Sequence, residues 1–195
     1  MLVKNNRRTP GELARLAALE TELHAERIEL LSRQIKELER RLREAMLPLE
    51  AVQRLLYIPG FGTKVAFTVY LETGDAQRFR SERNYTSYCR LVPGASNSGR
   101  RRTSRPSKQG NAHLKHAFIN AAVRAVQYEP VIKRWYATKL AKKPKPVAQT
   151  LVAKELARIA YRVLVDECDY NGTFKGVPIE KPKTAQWPRR ASPVA

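Results

Sequence analysis

The sequence is poor in cysteine and contains no long apolar run. Its 195 residues include two cysteines, Cys89 and Cys168. Because they lack metal-ligand spacing, we interpret them as free thiols of a cytosolic protein rather than as a disulfide. No apolar run approaches the roughly 18 residues that a membrane-spanning helix needs. No signal peptide is visible after Met1. We therefore expect a cytoplasmic protein with no membrane partner.

Acid is also missing from a long central part of the chain, since no Asp or Glu occurs between Glu82 and Glu129. Lys and Arg together number 37 against 18 Asp and Glu, which gives a formal net charge of +19. Such an excess favours a polyanionic partner, with nucleic acid ahead of an anionic membrane surface. Nine of the 18 acids lie in the first 50 residues, so the composition indicates two units.

The first unit reads as a long helix. Residues 1–11 are polar and basic, and we expect a disordered leader. Within residues 12–50, apolar residues recur at alternating spacings of three and four, and Pro48 limits the helix. This spacing predicts a coiled coil that pairs two copies of the chain, although a long helix packed on its own domain is the alternative. The seam runs through Ile28, Leu31, Ile35, Leu38, Leu42, Ala45 and Leu49.

The remainder predicts an all-α fold, with a compact helical domain over residues 51–172 and a basic, proline-rich, solvated tail over residues 173–195. No stretch reads convincingly as a strand. Residues 58–62 (IPGFG) join two short apolar helices and resemble a helix-hairpin-helix. Gly60 and Gly62 would let the backbone approach a DNA phosphate, and Lys64 would add charge. An ordinary αα-corner is the alternative.

The most distinctive stretch is residues 91–115, which combines turn residues with cations and holds no acid. It predicts a phosphate-binding loop that ends where Asn111 opens a helix. We interpret Tyr88, just before it, as a packing aromatic rather than a nucleophile. His113 and His116 are read as solvated or phosphate-contacting, and no metal ligands are predicted. The phosphate-binding candidates are Arg100, Arg101, Arg102, Arg105, Lys108, Asn111 and Lys115.

Three strings in fixed order carry a resemblance to a known family: IPGFGTKVAFTVYLETGDAQRF, YCRLVPGASNSGRRR and SKQGNAHLKHAFINAA. Together they resemble the C-terminal domain of the IS-one-ten family of insertion-sequence transposases, also called the IS116/IS110/IS902 type. The resemblance covers about residues 50–170, and the coiled coil fits the family's middle segment. It implies DNA transposition and recombination within the bacterial nucleoid.

The resemblance implies that a serine attacks the DNA backbone and forms a covalent phosphoserine intermediate. Ser98, before Gly99, matches the family's Ser-Gly, and Ser96 is the alternative one step out of register. Lys108, Gly110 and Asn111 match its Lys-x-Gly-Asn box. A structured guide RNA directs some family members, so such an RNA is a second candidate partner.

The resemblance also implies an acidic, metal-binding nuclease domain ahead of the coiled coil, whereas only about a dozen residues precede the helix here. We therefore expect the chain to bind DNA but to recombine poorly by itself. No cofactor is expected in this chain, and a divalent metal such as Mg²⁺ would belong to the nuclease domain. The alternative function is a non-catalytic, dimeric nucleic-acid-binding module or regulator derived from a transposase.

Overall fold

Helices dominate the computed structural model, which describes residues 10–98, 101–106 and 109–179. The predicted mostly helical fold is confirmed. No helix within these ranges combines the length and apolar character that crossing a bilayer requires. The elements in order are α1 (Pro10–Met46), α2 (Glu50–Leu56), α3 (Thr63–Thr73), a 3₁₀ turn (Ala76–Arg78), α4 (Glu82–Tyr88), β1 (Pro93–Ser98), β2 (Arg101–Pro106), α5 (Ala112–Tyr128), α6 (Pro130–Leu140), α7 (Lys145–Val165), β3 (Thr173–Phe174) and β4 (Val177–Pro178).

The chain divides into two compact units, Met1–Ala45 and Met46–Ala195. The first consists of nearly all of the 37-residue helix α1. Its apolar seam is open to solvent, from 40% exposed at Leu42 to 65% at Ile28 and Leu38. Charged neighbours one turn apart support the helix, since Glu37 accepts hydrogen bonds from Arg40 and Arg41 at 2.8 and 2.7 Å. Whether the seam pairs two copies remains a prediction.

The second unit is built around the fully buried ring of Tyr85 on α4. It stacks on Tyr161 of α7 at 5.4 Å between ring centroids and meets Phe118 of α5 edge-on at 6.2 Å. Its hydroxyl pairs with the buried Thr73 hydroxyl at 2.8 Å, so the polar end of the ring is satisfied. The apolar faces predicted for α5 and α7 turn inward, with small side chains where the helices approach closely. These buried alanines are Ala117, Ala121, Ala122, Ala125, Ala148, Ala153, Ala157 and Ala160.

Polar side chains fix where several elements begin. The Asp75 carboxylate accepts a hydrogen bond from the Gln77 amide and caps the 3₁₀ turn. Ser81 caps α4 and Asn111 caps α5 in the same way. Asn111 therefore opens the helix that the sequence predicts.

Two short antiparallel hairpins differ from the predictions. Hairpin β1–β2 lies where a loop was expected, because its Gly, Ser and Pro residues mask the usual strand pattern. Hairpin β3–β4 lies in the predicted solvated tail, but Phe174 is only 1% exposed and packs edge-on against Trp135 at 5.5 Å between centroids. The predicted leader, apart from residues 10 and 11, and residues 180–195 of the tail lie outside the described residues.

Both cysteines are free thiols, which confirms the prediction. Cys89 is buried and Cys168 is exposed. Burial raises the pKa of Cys89 to about 12, against a smaller lowering by its hydrogen bond with Tyr85. Cys89 therefore stays protonated near neutral pH and acts as a packing residue.

Candidate nucleic-acid interface

The backbone of the acid-free stretch folds into hairpin β1–β2. Its register pairs Pro93 with Pro106 at one end and Ser98 with Arg101 at the other. At roughly 3.3 Å per residue, Ser98 lies about 16 Å along the strand from Pro93. The two candidate serines therefore occupy different levels, because Ser96 pairs with Thr103 closer to the base.

The predicted cations are distributed along this hairpin. Arg101, Arg102 and Arg105 belong to β2, where Arg102 is opposite Asn97 and Arg105 is opposite Gly94. Arg100 and Lys108 lie outside the described residues. The pairing brings the arginine-bearing strand beside the serine-bearing strand, which the linear sequence did not reveal.

The chain enters and leaves the hairpin through a fixed neck, formed by Arg90 and Gly110. The Arg90 side chain donates a hydrogen bond from Nε to the Gly110 carbonyl at 2.8 Å. Both residues have left-handed backbone angles, with φ of 55° at Arg90 and 104° at Gly110. Next to Arg90, the Leu91 side chain is only 2% exposed. The base of the hairpin is therefore held by backbone geometry, a hydrogen bond and a buried anchor.

Gly110 meets two requirements that other residues do not. Its φ is unfavourable for residues with a Cβ, and a Cβ there would come within 2.3 Å of the Tyr88 carbonyl oxygen. This close approach lets the next amide, of Asn111, donate to the same carbonyl at 2.7 Å. The glycine of the predicted Lys-x-Gly-Asn box thus joins the end of α4 to the start of α5.

Asn111 joins three elements at the neck. Its Oδ1 accepts a hydrogen bond from the Leu114 amide at 3.0 Å, and its Nδ2 donates to Oε2 of Glu72 at 2.6 Å. The sequence predicts phosphate contact for Asn111, whereas the structure shows its side chain bound to the protein at both ends. Through these two hydrogen bonds, Asn111 holds the neck against α3 and the start of α5.

Glu72 is a neighbour of this site that the sequence analysis missed. It lies in the last turn of α3, where the helix dipole disfavours an acid. This unfavourable position was the one feature of the sequence that could have indicated a stabilising partner for the Glu72 carboxylate elsewhere in the fold. The partner, Asn111, is 39 residues away along the chain.

An arginine–aromatic stack lies beside the neck. The Arg78 guanidinium is 4.5 Å from the ring centroid of Phe79 and 4.9 Å from that of Tyr88. Hydrogen bonds from Arg78 and then from Asn111 lower the pKa of the Tyr88 hydroxyl. Tyr88 packs against the core, as predicted, and its polar end belongs to the network around the neck.

The loop between α2 and α3 packs against α5. Gly60 has φ of 80°, and a Cβ there would lie 2.1 Å from the Ala121 carbonyl oxygen. Gly62 is the N-cap of α3, which has no side-chain cap, and a Cβ at Gly62 would lie 3.2 Å from Nη1 of Arg124. Lys64 is exposed on the first turn. Gly60 therefore serves helix packing, while Gly62 lies at a cationic helix start.

The first turns of α5 carry the remaining predicted residues. Lys115 is half-buried, while His113 and His116 are exposed. His116 lies 3.4 Å from the Asn120 side chain through its Nδ1. Across the described ranges, no group of three His, Cys, Asp or Glu side chains is arranged to hold a metal ion.

Comparisons with known proteins show which family the sequence resembles. A family profile described as Transposase IS116/IS110/IS902 family matches residues 52–137. The transposase for insertion sequence element IS1328 of Yersinia enterocolitica is 31% identical over 153 residues. A probable family 20 transposase of Pseudomonas aeruginosa is 30% identical over 148 residues. The chain belongs to the IS116/IS110/IS902 transposase family through this segment.

The coverage of these relatives is partial. The aligned part is 76% of this chain but 46% of the Yersinia transposase, and 73% of this chain but 44% of the Pseudomonas protein. The chain thus spans less than half the length of the transposases it matches. The family segment runs from within α2 into α6 and contains both the neck and the hairpin.

Outside the transposase family segment, the C-terminal half of α7 carries a neutralised charge cluster. The Glu82 carboxylate accepts hydrogen bonds from Arg158, at 2.6 Å, and from Arg162. Burial raises the pKa of Glu82, but the two arginines outweigh burial and lower it overall. Glu155 accepts from Arg158 at 3.3 Å and pairs with Lys175 at 2.7 Å.

A cavity of about 430 Å³ lies between α7 and β3–β4, and Glu155, Arg158, Arg162 and Lys175 are among the residues that line it. None of the predicted phosphate-binding residues lines it. Because its arginines already have carboxylate partners, this cavity offers little net positive charge to a polyanion.

Proposed function

We propose that this chain is the DNA-binding part of a transposase and that hairpin β1–β2 contacts the DNA backbone. The observation that carries the proposal is the acid-free hairpin standing on a fixed neck inside the family segment. Arginine suits this task because its planar fork donates two hydrogen bonds to phosphate oxygens. The arginines assigned to the backbone contact are Arg100, Arg101, Arg102 and Arg105.

The absence of acid from the hairpin supports this proposal. No Asp or Glu lies between Glu82 and Glu129, so no carboxylate of the hairpin's own sequence would repel a DNA phosphate. The acid at the neck, Glu72, accepts a hydrogen bond from Asn111.

The start of α3 would give a second phosphate contact of the helix-hairpin-helix kind. Its first amides have no side-chain cap, and the exposed Lys64 and the Arg124 guanidinium lie close to them. The amides of a helix N-terminus and nearby cations both favour an anion there. In this proposal Gly62 allows the approach, while Gly60 keeps the loop packed on α5.

The test compares DNA binding by the wild type and by a variant with all four hairpin arginines changed to Gln. The probe is a 30-base-pair duplex, and the dissociation constant is measured by fluorescence anisotropy over a series of salt concentrations. Each lost phosphate contact makes the log–log salt slope shallower by about 0.9, so the loss of four contacts should change the slope by about 3.6.

The matched control changes four exposed cations of α1, Arg27, Arg33, Lys36 and Arg43, to Gln. It removes the same charge, and we expect a small change in slope. Equal slopes for the wild type and the hairpin variant, or equal losses in the hairpin variant and the control, would contradict the proposal.

We further propose that Ser98 is the nucleophile of strand exchange. Its Oγ would form a bond to a backbone phosphorus while the bond from that phosphorus to a deoxyribose oxygen breaks. The hydroxyl proton must pass to a base, and the departing oxygen must take one up. Residues 91–115 contain no Asp or Glu that could accept or supply these protons. We therefore assign proton transfer, and the Mg²⁺ that would neutralise the phosphate, to a nuclease domain supplied by a longer chain.

Adduct trapping tests this step. The chain is incubated with a nuclease domain of the family and DNA carrying the insertion-sequence ends, and covalent protein–DNA species are mapped by mass spectrometry. We expect the nucleotide on the peptide containing Ser98 and no adduct in Ser98→Ala. An adduct that persists in Ser98→Ala, or that maps to Ser96, would reject Ser98. A non-catalytic regulator, the alternative function, would form no adduct under any of these conditions.

The exposed seam of α1 supports a role in pairing two copies of the chain. A sustained a/d stripe is stable when buried against another helix, and here its side chains are largely exposed. Sedimentation equilibrium should give a dimer for the wild type and a monomer for Leu31→Asp. Arg33→Asp, outside the seam, is the control and should stay dimeric. A monomeric wild type would reject pairing.

A further inference from the structure

A second acid-free run lies at the junction of α6 and α7. Between Glu129 and Glu155 the sequence has seven cations and no Asp or Glu. Four of them are close together at the turn, and we refer to these as the lysine corner: Lys139, Lys142, Lys143 and Lys145. The family segment ends at residue 137, so the lysine corner lies beyond it.

The charges of the lysine corner are not neutralised within the described structure. None of its four lysines has a carboxylate within ion-pair distance among the described residues. The first turn of α7 contains no acid. Lys142, Lys143 and Lys145 are exposed, so their ammonium groups face solvent. This contrasts with Arg158 in the same helix, which is paired with Glu82 and Glu155.

The backbone holds the lysine corner in one shape. The Ala141 amide donates to the Ala137 carbonyl at 3.1 Å, and the Lys142 amide donates to the Lys139 carbonyl at 3.0 Å. Pro144 is the N-cap of α7, and its carbonyl accepts hydrogen bonds from the amides of Val147 and Ala148 at 2.9 and 3.0 Å. The proline rings at 144 and 146 restrict φ on both sides of Lys145.

One lysine is also fixed by its side chain. The Lys139 ammonium lies 4.9 Å from the Trp135 ring centroid, and that ring packs edge-on against buried Phe174. A cationic surface with a fixed backbone loses less entropy on binding than a flexible basic tail does. The lysine corner therefore carries unneutralised charge on a backbone of fixed shape.

We propose that the lysine corner binds the phosphodiester backbone of duplex DNA, as a contact separate from hairpin β1–β2. Lysine ammonium groups act as compact point charges, which attract phosphate oxygens without imposing the fixed two-bond geometry of an arginine fork. The contact is therefore independent of base sequence and adds affinity and orientation. The choice of DNA as partner rests on the proposed function, whereas the cationic surface itself does not.

The test removes the three exposed lysines and leaves Lys139 on Trp135. The variant Lys142→Gln/Lys143→Gln/Lys145→Gln is compared with Arg33→Gln/Lys36→Gln/Arg43→Gln, which removes equal charge from α1. Both are titrated with the same 30-base-pair duplex over a salt series. We expect the corner variant to make the salt slope shallower by about 2 to 3, and the control to leave it nearly unchanged. The charge-preserving Lys→Arg triple variant should restore the wild-type slope.

Each outcome has a distinct meaning. A wild-type slope in the corner variant, or the same loss in the α1 control, overturns the inference. If the corner variant loses affinity for an RNA hairpin of equal charge but not for the duplex, the assignment to DNA is wrong. If the hairpin-arginine variant binds normally while the corner variant is weakened, the proposed function of the hairpin fails and this inference stands. A wild-type chain that binds no duplex overturns both.

Discussion

The two ends of α7 carry the same sign of charge but differ in how that charge is used. At the C-terminal end, Arg158 and Arg162 share the carboxylate of Glu82, which joins α4 to α7. At the N-terminal end, Lys142, Lys143 and Lys145 are exposed and have no carboxylate partner among the described residues. The difference shows that the cations behind the net charge of +19 fall into two groups, those paired with carboxylates and those without such a partner in the described structure. Part of this charge is paired with carboxylates inside the fold, and we propose that the unpaired part binds DNA.

Hairpin β1–β2 extends the same contrast. Its sequence holds cations without acids, while its neck is held by internal hydrogen bonds from Arg90 and Asn111. The neck therefore belongs with the structural residues, whereas we propose that the hairpin beyond it is a DNA-binding surface. The predictions below test where this boundary lies.

The largest effect is expected at the neck, in Gly110→Ala. The new Cβ would meet the Tyr88 carbonyl oxygen at 2.3 Å, and the positive φ would add strain. Backbone strain and overpacking together should lower the free energy of unfolding by about 3 kcal/mol or more. Urea denaturation measures it. The control is Gly172→Ala, where a Cβ has nothing within 4 Å and only strain of about 1 kcal/mol applies. Equal losses in the two variants would show that the neck is not tightly packed.

A smaller effect is expected from Glu82→Ala, which removes the shared partner of Arg158 and Arg162. Because both arginines retain solvent access, we expect a loss of about 1–2 kcal/mol in the free energy of unfolding. DNA affinity should not fall. The control is Glu50→Ala, whose exposed pair with Arg54 should contribute about 0.5 kcal/mol or less. A large loss of DNA affinity in Glu82→Ala would mean that the paired end also serves binding.

The contribution of Glu82 should also depend on pH. Its pKa is lowered in the folded state, so it contributes stability above its unfolded pKa of about 4.3. That contribution is lost as the pH falls through the lower folded value. The difference in unfolding free energy between the wild type and Glu82→Gln should therefore shrink below about pH 4. A difference that stays constant from pH 6 to pH 3 would contradict the lowered pKa.

The smallest effect on stability is expected at the lysine corner. Changing Lys142, Lys143 and Lys145 to Gln removes exposed charges without carboxylate partners in the described structure. The free energy of unfolding should therefore change by no more than about 0.5 kcal/mol. Thermal and urea denaturation both measure it. Destabilisation of about 2 kcal/mol would place these lysines with the structural residues and remove the contrast between the two ends of α7.

Local signals predicted much of this fold. The apolar faces of α5 and α7 follow from helical periodicity, and the start of α5 follows from Asn111 as a cap after Gly110. The free state of Cys89 and Cys168 also agreed with the prediction made from their spacing. Each of these features depends on residues within a few turns of one another or on composition.

Features that depend on distant partners were not predictable. Glu72 pairs with Asn111, 39 residues away, and Glu82 pairs with Arg158, 76 residues away, and no local pattern identifies either partner. Hairpin β1–β2 was not predicted because its sequence lacks the alternating apolar residues that usually mark a strand, and its register is evident only from the backbone pairing. Phe174 was assigned to a tail because the Trp135 ring it packs on lies in another helix.

Hydrogen–deuterium exchange with and without a 30-base-pair duplex tests the central claim most directly, because it resolves both surfaces in one experiment. The claim is that cations without acidic partners bind DNA, while paired cations stabilise the fold. It predicts slower exchange upon DNA binding in peptides covering residues 93–106 and 139–145, and no change in those covering residues 155–176. Protection confined to residues 155–176, or absent from residues 93–106, would contradict it.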